Sequence, residues 1–492
     1  MAELLSNEVE TVSPADIITG SHIIDIISSG MYNDPKMVLR EYIQNSSDSL
    51  DEAIRNGLIT ESEAKIHIEL KGKERILRIR DNGVGVSRKK LKRTLCSIAS
   101  SEKEQSDKRG FRGIGRLGAL GYCETLIFET KTLNDSLASR VTWDAKSLNE
   151  KLQARNPKEN LAELLSSCIT VTQGEFEHQE PNYFEVTMIG VKRFHNDDLM
   201  HLFIIRNYLS LHAPLPFSDK FVFKTVIEDH LRPIHQYKTY PVFLNGKQIF
   251  KPHIKSYKIS SKKSDSIQNI ISFILYDRKR EVEIGRGWYA ITGFEALIPK
   301  SNLMRGIIIR QGNILVADDS YLAEFFDEKR FAAWCIGEVH VTNSVIANAR
   351  RDGFEHTNEY ESLIEQFTLL GGHLSTLIRK ASEENTKSIY THNLQRRINT
   401  LNLKPVAIDM EHKELLVNAI TKSQHKDQQI IIENISLIQD ILKEKKLLEL
   451  EPSQIIEKIQ TIARDKKYDP LFISELLTEI VNSFFIDKLI ES

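Results

Sequence analysis

Few cysteines and no long apolar run mark this sequence, and each absence excludes a class of protein. Four cysteines occur among 492 residues, none close to another, which excludes a CxxC zinc or redox site and argues against a disulfide framework. No run of 18 apolar residues is present, so we expect no transmembrane helix. The N-terminus is polar and acidic, unlike a secretory signal, and we expect a reducing, cytoplasmic setting without membrane contact.

An excess of charge of one sign is also lacking. The formal net charge is -2, so no global basic excess indicates a nucleic-acid binder. The basic run 88–93 stands alone, and we interpret it as an exposed helix face rather than a nucleic-acid patch. Neither a GxxxxGKS/T motif nor the HRD and DFG motifs occur, which excludes a P-loop and the protein-kinase set. Any bound nucleotide is therefore held without a lysine-capped loop.

The pattern of elements predicts an α+β fold in three parts. The N-terminal part runs helix, hairpin, helix, loop, helix and then strands, an order that indicates an α/β sandwich. Strand patterns dominate from about 218 to 350, with turns at Asn245–Gly246 and Gly312–Asn313, whereas helical spacing prevails after about 360. The predicted domains are 1–217, an α/β sandwich; 218–372, a second α+β domain; and 373–492, a helical region.

One predicted helix has two unlike faces. In the stretch VLREYIQNSSDSLDEA, residues 38–53, and just beyond it, apolar side chains recur at helical steps, at Leu39, Ile43, Leu50 and Ile54. The opposite face carries short polar side chains and almost no lysine or arginine, at Glu41, Asn45, Asp48 and Glu52. This stripe fits either a solvated surface or a polar wall facing a ligand.

Two glycine motifs follow this helix. Asp81 comes at a predicted strand end before Asn82, Gly83 and Gly85, where the backbone can approach a flat ligand closely. An ionised aspartate only accepts hydrogen bonds, for example from adenine's amino group, but the same pattern also occurs in ordinary turns. The stretch GFRGIGRLG, residues 110–118, opens a predicted helix and fits either a phosphate cradle or a tightly packed loop.

Taken together, the three motifs resemble the GHKL (Bergerat-fold) ATPase superfamily, and within it the heat shock protein 90 chaperone family. They read E-x-x-x-N-S-x-D at 41–48, D-N-G-x-G at 81–85 and G-x-x-G-x-G at 110–115. The likeness is strong over roughly 15–195, recognisable over 196–356 and absent beyond. The resemblance therefore implies a relative of that family rather than a chaperone of the usual architecture.

The resemblance implies a bound ATP and Mg²⁺ and gives the motif residues their roles. Asn45 would coordinate Mg²⁺ through its side-chain oxygen, and Glu41 would orient or deprotonate the attacking water. Asp81 would bind the adenine amino group, and a lid would span about 95–112. The remaining nucleotide-binding residues would be Asp48 in the pocket wall, Asn82, Gly83 and Gly85 at the base and sugar, and the backbone of Gly110, Gly113, Ile114 and Gly115 at the phosphates.

Position 41 also separates two sub-classes of the superfamily. GHKL histidine kinases typically carry Asn there, because they transfer phosphate to a histidine, whereas Glu41 suits transfer to water. The resemblance therefore favours an ATPase over a kinase.

The stretch IGEVHVTNSVIANARRDGFE, residues 336–355, resembles the catalytic loop of the same family's middle domain. Arg351 would reach the γ-phosphate when the domains close, with Arg350 as the alternative register. The other interpretation is a solvated basic turn. Two departures from the family pattern occur: Glu355 stands where the family usually has Gln, and Tyr183–Phe184 stands where it tends to have Gly-Thr.

Two functional hypotheses follow from the resemblance. The first is an ATP-driven conformational machine that acts on a protein client or partner and forms at least a homodimer when ATP is bound, with 373–492 as a possible oligomerisation region. The second is a GHKL ATPase switch or clamp subunit that gates a DNA-acting or nuclease effector, for example in a bacterial defence system. Because no basic domain is present, a protein partner is favoured over nucleic acid. A nucleotide sensor that barely hydrolyses ATP is a third reading.

Overall fold

A computed structural model gives the fold of most of the chain. It describes residues 8–16, 34–97, 115–154, 160–178, 180–194, 196–277, 282–348 and 353–400. The chain divides into two compact units, Met1–Ile378 and Arg379–Ser492. Within the described ranges no helix is both long and apolar enough to cross a membrane. The mixed α+β class predicted from the sequence is confirmed.

Both α-helices and β-strands occur among the described residues. The helices are α1 Met37–Arg55, α2 Arg88–Leu91, α3 Ala145–Ala154, α4 Leu161–Ser166, α5 Leu202–His212, α6 Lys224–Leu231, α7 Asp319–Leu322 and α8 Asn358–Thr400. The strands are β1 Glu8–Thr11, β2 Ile66–Lys71, β3 Ile76–Asp81, β4 Thr125–Lys131, β5 Ala138–Asp144, β6 Ile169–Gly174, β7 Tyr183–Ile189, β8 Val242–Leu244, β9 Lys247–Ile249, β10 Ser256–Lys258, β11 Ser264–Ser266, β12 Asn269–Asp277, β13 Val282–Ile291, β14 Gly306–Gln311, β15 Ile314–Ala317 and β16 Ile336–Val341.

The larger sheet has the order β1-β6-β5-β4-β7-β3-β2-β8-β9. The predicted hairpin is present as β2 and β3, which pair antiparallel, and β7 lies between β3 and β4. Because side chains alternate across a strand, Leu77, Ile79 and Asp81 of β3 all point to the buried face. A carboxylate therefore occupies a position where this pattern otherwise places an apolar side chain.

Helix α1 packs on the buried face of this sheet, as its apolar period predicts. Leu39, Ile43 and Leu50 are at most 1% exposed, and Ile54 packs at the edge of the same core. Burying an aliphatic side chain of this size stabilises the fold by roughly 1.5–3 kcal/mol. The apolar stripe thereby fixes the rotation of α1 about its axis, and with it the direction of the polar stripe.

A second sheet of five strands has the order β12-β13-β16-β14-β15, with β16 in the middle. Strands β8 and β9 belong to the larger sheet and not to the second one, although they lie after residue 217, where the second domain is predicted to begin. The domain boundaries therefore remain a prediction. Both predicted turns are confirmed, since Asn245, Gly246, Gly312 and Asn313 all have φ between 48° and 76°, as two-residue hairpin turns require.

Some elements differ in detail from the sequence expectation. The helix predicted after the third motif is a 3₁₀ helix, Gly115–Gly121, and the helical insert predicted over about 146–165 is split into α3 and α4. Strands β1 and β6 pair with each other and were not predicted. Most of the predicted lid lies outside the described residues, which include only 95–97 of it.

Candidate functional site

The polar stripe of α1 is only partly open to solvent. Glu41, Asn45 and Asp48 are all half-buried, and the Glu41 side chain is 17% exposed. A freely solvated helix face would leave such short polar side chains more exposed. Their burial favours the polar-wall interpretation.

Asp81 lies beside α1 and is 2% exposed. Its Oδ1 accepts a hydrogen bond from Gly83 N at 3.0 Å, while Oδ2 is buried and has no hydrogen-bond partner among the described residues. Burial raises the pKa of Asp81 to about 6, although the hydroxyls of Ser46 and Ser49 on α1 act in the opposite direction. A buried acceptor without a donor is uncommon in folded proteins, and a ligand that donates hydrogen bonds would satisfy it.

The two glycines of the second motif are required by close approach. A Cβ on Gly83 would lie 2.0 Å from Ser49 Oγ of α1, and one on Gly85 would lie 2.3 Å from Lys131 O. Gly85 also has φ of +67°, a conformation that L side chains rarely adopt. These contacts bring the loop after β3 against α1, so the first and second motifs meet.

Residues that the sequence analysis did not identify hold this loop in place. Asn182 Nδ2 donates to Asn82 O at 3.0 Å and to Gly83 O at 2.6 Å. Thr130 Oγ1 accepts from Val86 N at 2.8 Å and donates to the Tyr183 carbonyl at 3.0 Å. A hydroxyl or amide next to a glycine loop has no signature in a single sequence, because its partner is set by the fold.

Asn82, predicted to line the base and sugar, uses its side chain elsewhere. Its Oδ1 accepts from Lys65 N and its Nδ2 donates to Glu63 O, both at 2.9 Å. Its side-chain amide therefore connects the loop after β3 to the segment before β2 through two hydrogen bonds.

Thr187, to which we assign no role from the sequence, lies on the opposite face of the sheet from Asp81. In the register of β3 and β7, Asp81 is opposite Phe184, and Thr187 is three residues further along. Its Oγ1 donates to Glu185 Oε1 at 3.2 Å. The structure does not bring Thr187 to the predicted site.

The third motif is described only from its last glycine. Gly110, Gly113 and Ile114 lie outside the described residues, whereas Gly115 begins the 3₁₀ helix. The hydroxyl of Tyr42 on α1 donates to Arg116 O at 2.8 Å. This hydrogen bond joins the end of the third motif to α1, the helix that carries the first motif and contacts the loop of the second motif.

Glu41 has a cationic neighbour on its own helix. The Nη2 atom of Arg40 lies 3.5 Å from Glu41 Oε1, and Arg40 is 5% exposed. Burial raises the pKa of the Tyr208 phenol on α5, while the charge of Arg40 lowers this pKa and that of Glu41 raises it. The carboxylate of Glu41 is thus held in a partly desolvated, ionic environment.

The predicted arginine loop is described on both sides of its centre. Arg350, Arg351 and Asp352 lie outside the described residues. An isolated bridge joins Ala347 to Phe354, and the Gln311 side chain donates to Thr342 O at 3.1 Å and to Val345 O at 2.6 Å. Glu355 is exposed. The described residues on either side of the loop are therefore held by hydrogen bonds near the end of β16.

A buried ion cluster supports the strand that leads into this loop. Glu338 of β16 lies 2.6 Å from Lys251 Nζ and 3.0 Å from Arg310 Nε, and all three side chains are 0% exposed. Burial raises the pKa of Glu338, but the charges of Arg310 and Lys251 outweigh it and hold the pKa well below its usual value. Removing one partner of such a buried pair typically destabilises a protein by about 3–5 kcal/mol.

The donor set of the site fits Mg²⁺ only in part. Asn45 offers one amide oxygen, and none of the described residues forms a group of three or more His, Cys, Asp or Glu side chains placed for a metal. Mg²⁺ takes oxygen ligands and is commonly held by one or two protein groups together with substrate phosphates. The residues present therefore suit Mg²⁺ that arrives with a phosphorylated ligand.

Comparison with known families agrees with this geometry. Residues 32–174, which contain all three motifs, match the family model described as histidine kinase-, DNA gyrase B-, and HSP90-like ATPase. Residues 32–174 of the chain are therefore similar to the GHKL ATPase superfamily, and the resemblance inferred from the motifs is confirmed.

Two curated proteins of the heat shock protein 90 type are similar to part of this chain. Chaperone protein HtpG of Coxiella burnetii is 28% identical over 167 residues, which cover 30% of this chain and 25% of that protein. The endoplasmin homolog of Dictyostelium discoideum is 29% identical over 157 residues, 28% of this chain and 20% of that protein. The chain thus spans about a quarter of the length of the curated relatives it matches.

Proposed function

We propose that this chain is an ATP-dependent, heat-shock-protein-90-like conformational ATPase. The observation that carries the proposal is the buried carboxylate of Asp81, with one unpartnered oxygen, beside the half-buried polar stripe of α1. A carboxylate that only formed a turn would not need to be desolvated at the cost of a raised pKa. The similarity to proteins named as chaperones supports the same class.

In this site, some residues would bind the nucleotide and others would promote its hydrolysis. Asp81 accepts the adenine amino hydrogen bond, and the loop of Gly83 and Gly85 lets the backbone approach the base and sugar. Glu41 holds or deprotonates the water that attacks the γ-phosphorus. Asn45 would supply an oxygen ligand to Mg²⁺, and the bound ion would neutralise charge on the phosphates.

The larger cycle belongs to the same proposal. Closure of the lid at about 95–112 and engagement of Arg351 would complete the site, and such steps often limit turnover. N-domains would associate in at least a homodimer when ATP is bound, and the partner acted on would be a protein. All four cysteines are free, buried thiols, which suits a reducing cytoplasm.

Phosphate release tests the proposal directly. We expect the purified chain to release phosphate from ATP in the presence of Mg²⁺ and to lose that activity when a chelator removes the metal. The reason is that the described part of the site supplies few oxygen ligands of its own, so charge on the phosphates needs the ion. ATP binding with no phosphate release would support the nucleotide-sensor reading instead, and no binding would contradict the proposal.

The affinity for the nucleoside should depend on pH through Asp81. With a pKa of about 6, Asp81 is ionised at pH 8 and mostly protonated at pH 5, where it no longer acts only as an acceptor. We expect adenosine to bind about tenfold more weakly for each pH unit below 6. Calorimetric titration with adenosine, which has no phosphate to ionise, measures this between pH 5 and 8. A flat profile would contradict the adenine role.

The same pKa has the opposite effect on stability. The folded-state pKa of Asp81 is raised above its ordinary value of 3.8, so its contribution to stability is largest below that value. This contribution is lost as the pH rises through about 6. Binding and ligand-free stability therefore change in opposite directions over this window.

A further inference from the structure

Phe184 is more exposed than its neighbours on the same face of the larger sheet. It lies on β7, a central strand, and packs against the core on the face that other elements cover. The next two residues on that face, Val186 and Met188, are 3% and 1% exposed, whereas Phe184 is only half-buried. A side chain on the covered face of a central strand reaches solvent only where the covering layer opens or ends. Phe184 therefore lies where this layer is open.

Asp81 is the cross-strand neighbour of Phe184. The two residues are directly opposite in the antiparallel register of β3 and β7. Opposite residues share one face of a sheet, with Cβ atoms about 4.5–5.5 Å apart. The loop after Asp81 also passes this point, since a Cβ on Gly85 would lie 3.0 Å from Tyr183 O. The aromatic ring, the carboxylate and the glycine loop therefore lie together at one end of the sheet.

One side of the Phe184 ring is occupied by a second aromatic ring. The ring of Phe128 on β4 is stacked on it, with centroids 6.0 Å apart and an angle of 27° between the planes. Phe128 is 0% exposed, so the exposed part of Phe184 is on the side away from it. Aromatic rings stack in this near-parallel arrangement on other flat π-systems, nucleobases among them. The open side of Phe184 therefore suits a flat aromatic ligand.

We propose that the base of the nucleotide stacks on Phe184, and that this ring determines which base the site prefers. This inference rests on the proposed function, because it requires a nucleotide whose base lies beside Asp81. An acceptor such as Asp81 recognises any base with an exocyclic amino group, and both adenine and cytosine have one. An aromatic ring adds a preference for the larger π-system, since stacking strength differs between bases. The carboxylate would thus select for an amino group and the ring for a purine.

The test measures the affinities for adenosine and cytidine by calorimetric competition against ATP. In Phe184→Leu, which keeps an apolar side chain but loses the ring, we expect adenosine to bind about tenfold and cytidine about twofold more weakly. The preference for adenosine should therefore fall about fivefold. Phe184→Tyr retains the ring and should keep both affinities within about twofold of those of the parent chain. The matched control is Phe203→Leu on α5, at a side chain that is 65% exposed, which should leave both affinities unchanged.

The ratio of the two affinities separates a stacking role from a structural one. A general distortion of the site would weaken the binding of adenosine and cytidine by the same factor, so an equal loss for both in Phe184→Leu would overturn the inference. Unchanged adenosine affinity in this variant would overturn it as well. So would tighter binding of adenosine, because the ring would then fill the space of the base. If the unmodified chain binds neither ATP nor adenosine, the proposed function falls first, which distinguishes the two failures.

Discussion

Asp81→Asn is expected to abolish ATP binding, with a loss of affinity of about a hundredfold or more. The variant replaces an ionised acceptor by a neutral amide, whose NH₂ group would face the amino group of adenine. Two donors then meet in a buried site where neither can turn to water. Calorimetric titration with ATP measures the loss.

The fold should tolerate this change, because Asn has the shape of Asp and carries no charge to desolvate. The melting temperature of ligand-free Asp81→Asn should therefore be equal to that of the parent chain or higher at pH 8, where Asp81 is ionised. Asp219→Asn, at an exposed position, serves as the matched control. Unchanged ATP affinity in Asp81→Asn would refute the adenine role.

Glu41→Ala is expected to bind ATP but to stop phosphate release, with turnover lower by about 10²–10⁴-fold. The carboxylate contacts the attacking water rather than the base or sugar in the proposed site, so its removal acts on the chemical step and leaves most of the binding energy intact. Phosphate release and direct ATP binding, measured on the same preparation, separate the two effects.

A control for this variant is Glu150→Ala, which removes an exposed glutamate from the surface of α3. Its turnover should match that of the parent chain. Normal turnover in Glu41→Ala would remove its assignment as the base, even if ATP still bound at Asp81. A variant that binds but does not hydrolyse would also serve as a trap for a protein partner in native cells.

The parts of the site in which apolar residues recur at helical or strand spacing could be predicted from the sequence. The steps of Leu39, Ile43 and Leu50 fix the buried face of α1, and the polar stripe follows on the other side. The alternation in β3 places Asp81 with the buried residues Leu77 and Ile79. The glycine turns were predictable for a similar reason, since positive φ restricts the residue type.

The residues that hold these parts together could not be predicted in this way. Asn182 reaches Gly83 across 99 positions of sequence, and Lys251 reaches Glu338 across 87. A period shows which face of an element is buried but not which polar group lies opposite, because that partner is set by tertiary packing.

The strand order of the second sheet has a consequence for synthesis of the chain. Strand β16 lies between β13 and β14, yet it is the last of the five to leave the ribosome. Until residue 341 has emerged, two apolar strands present unpaired backbone edges to neighbouring nascent chains. Slower translation or a lower growth temperature should therefore raise the yield of correctly assembled protein.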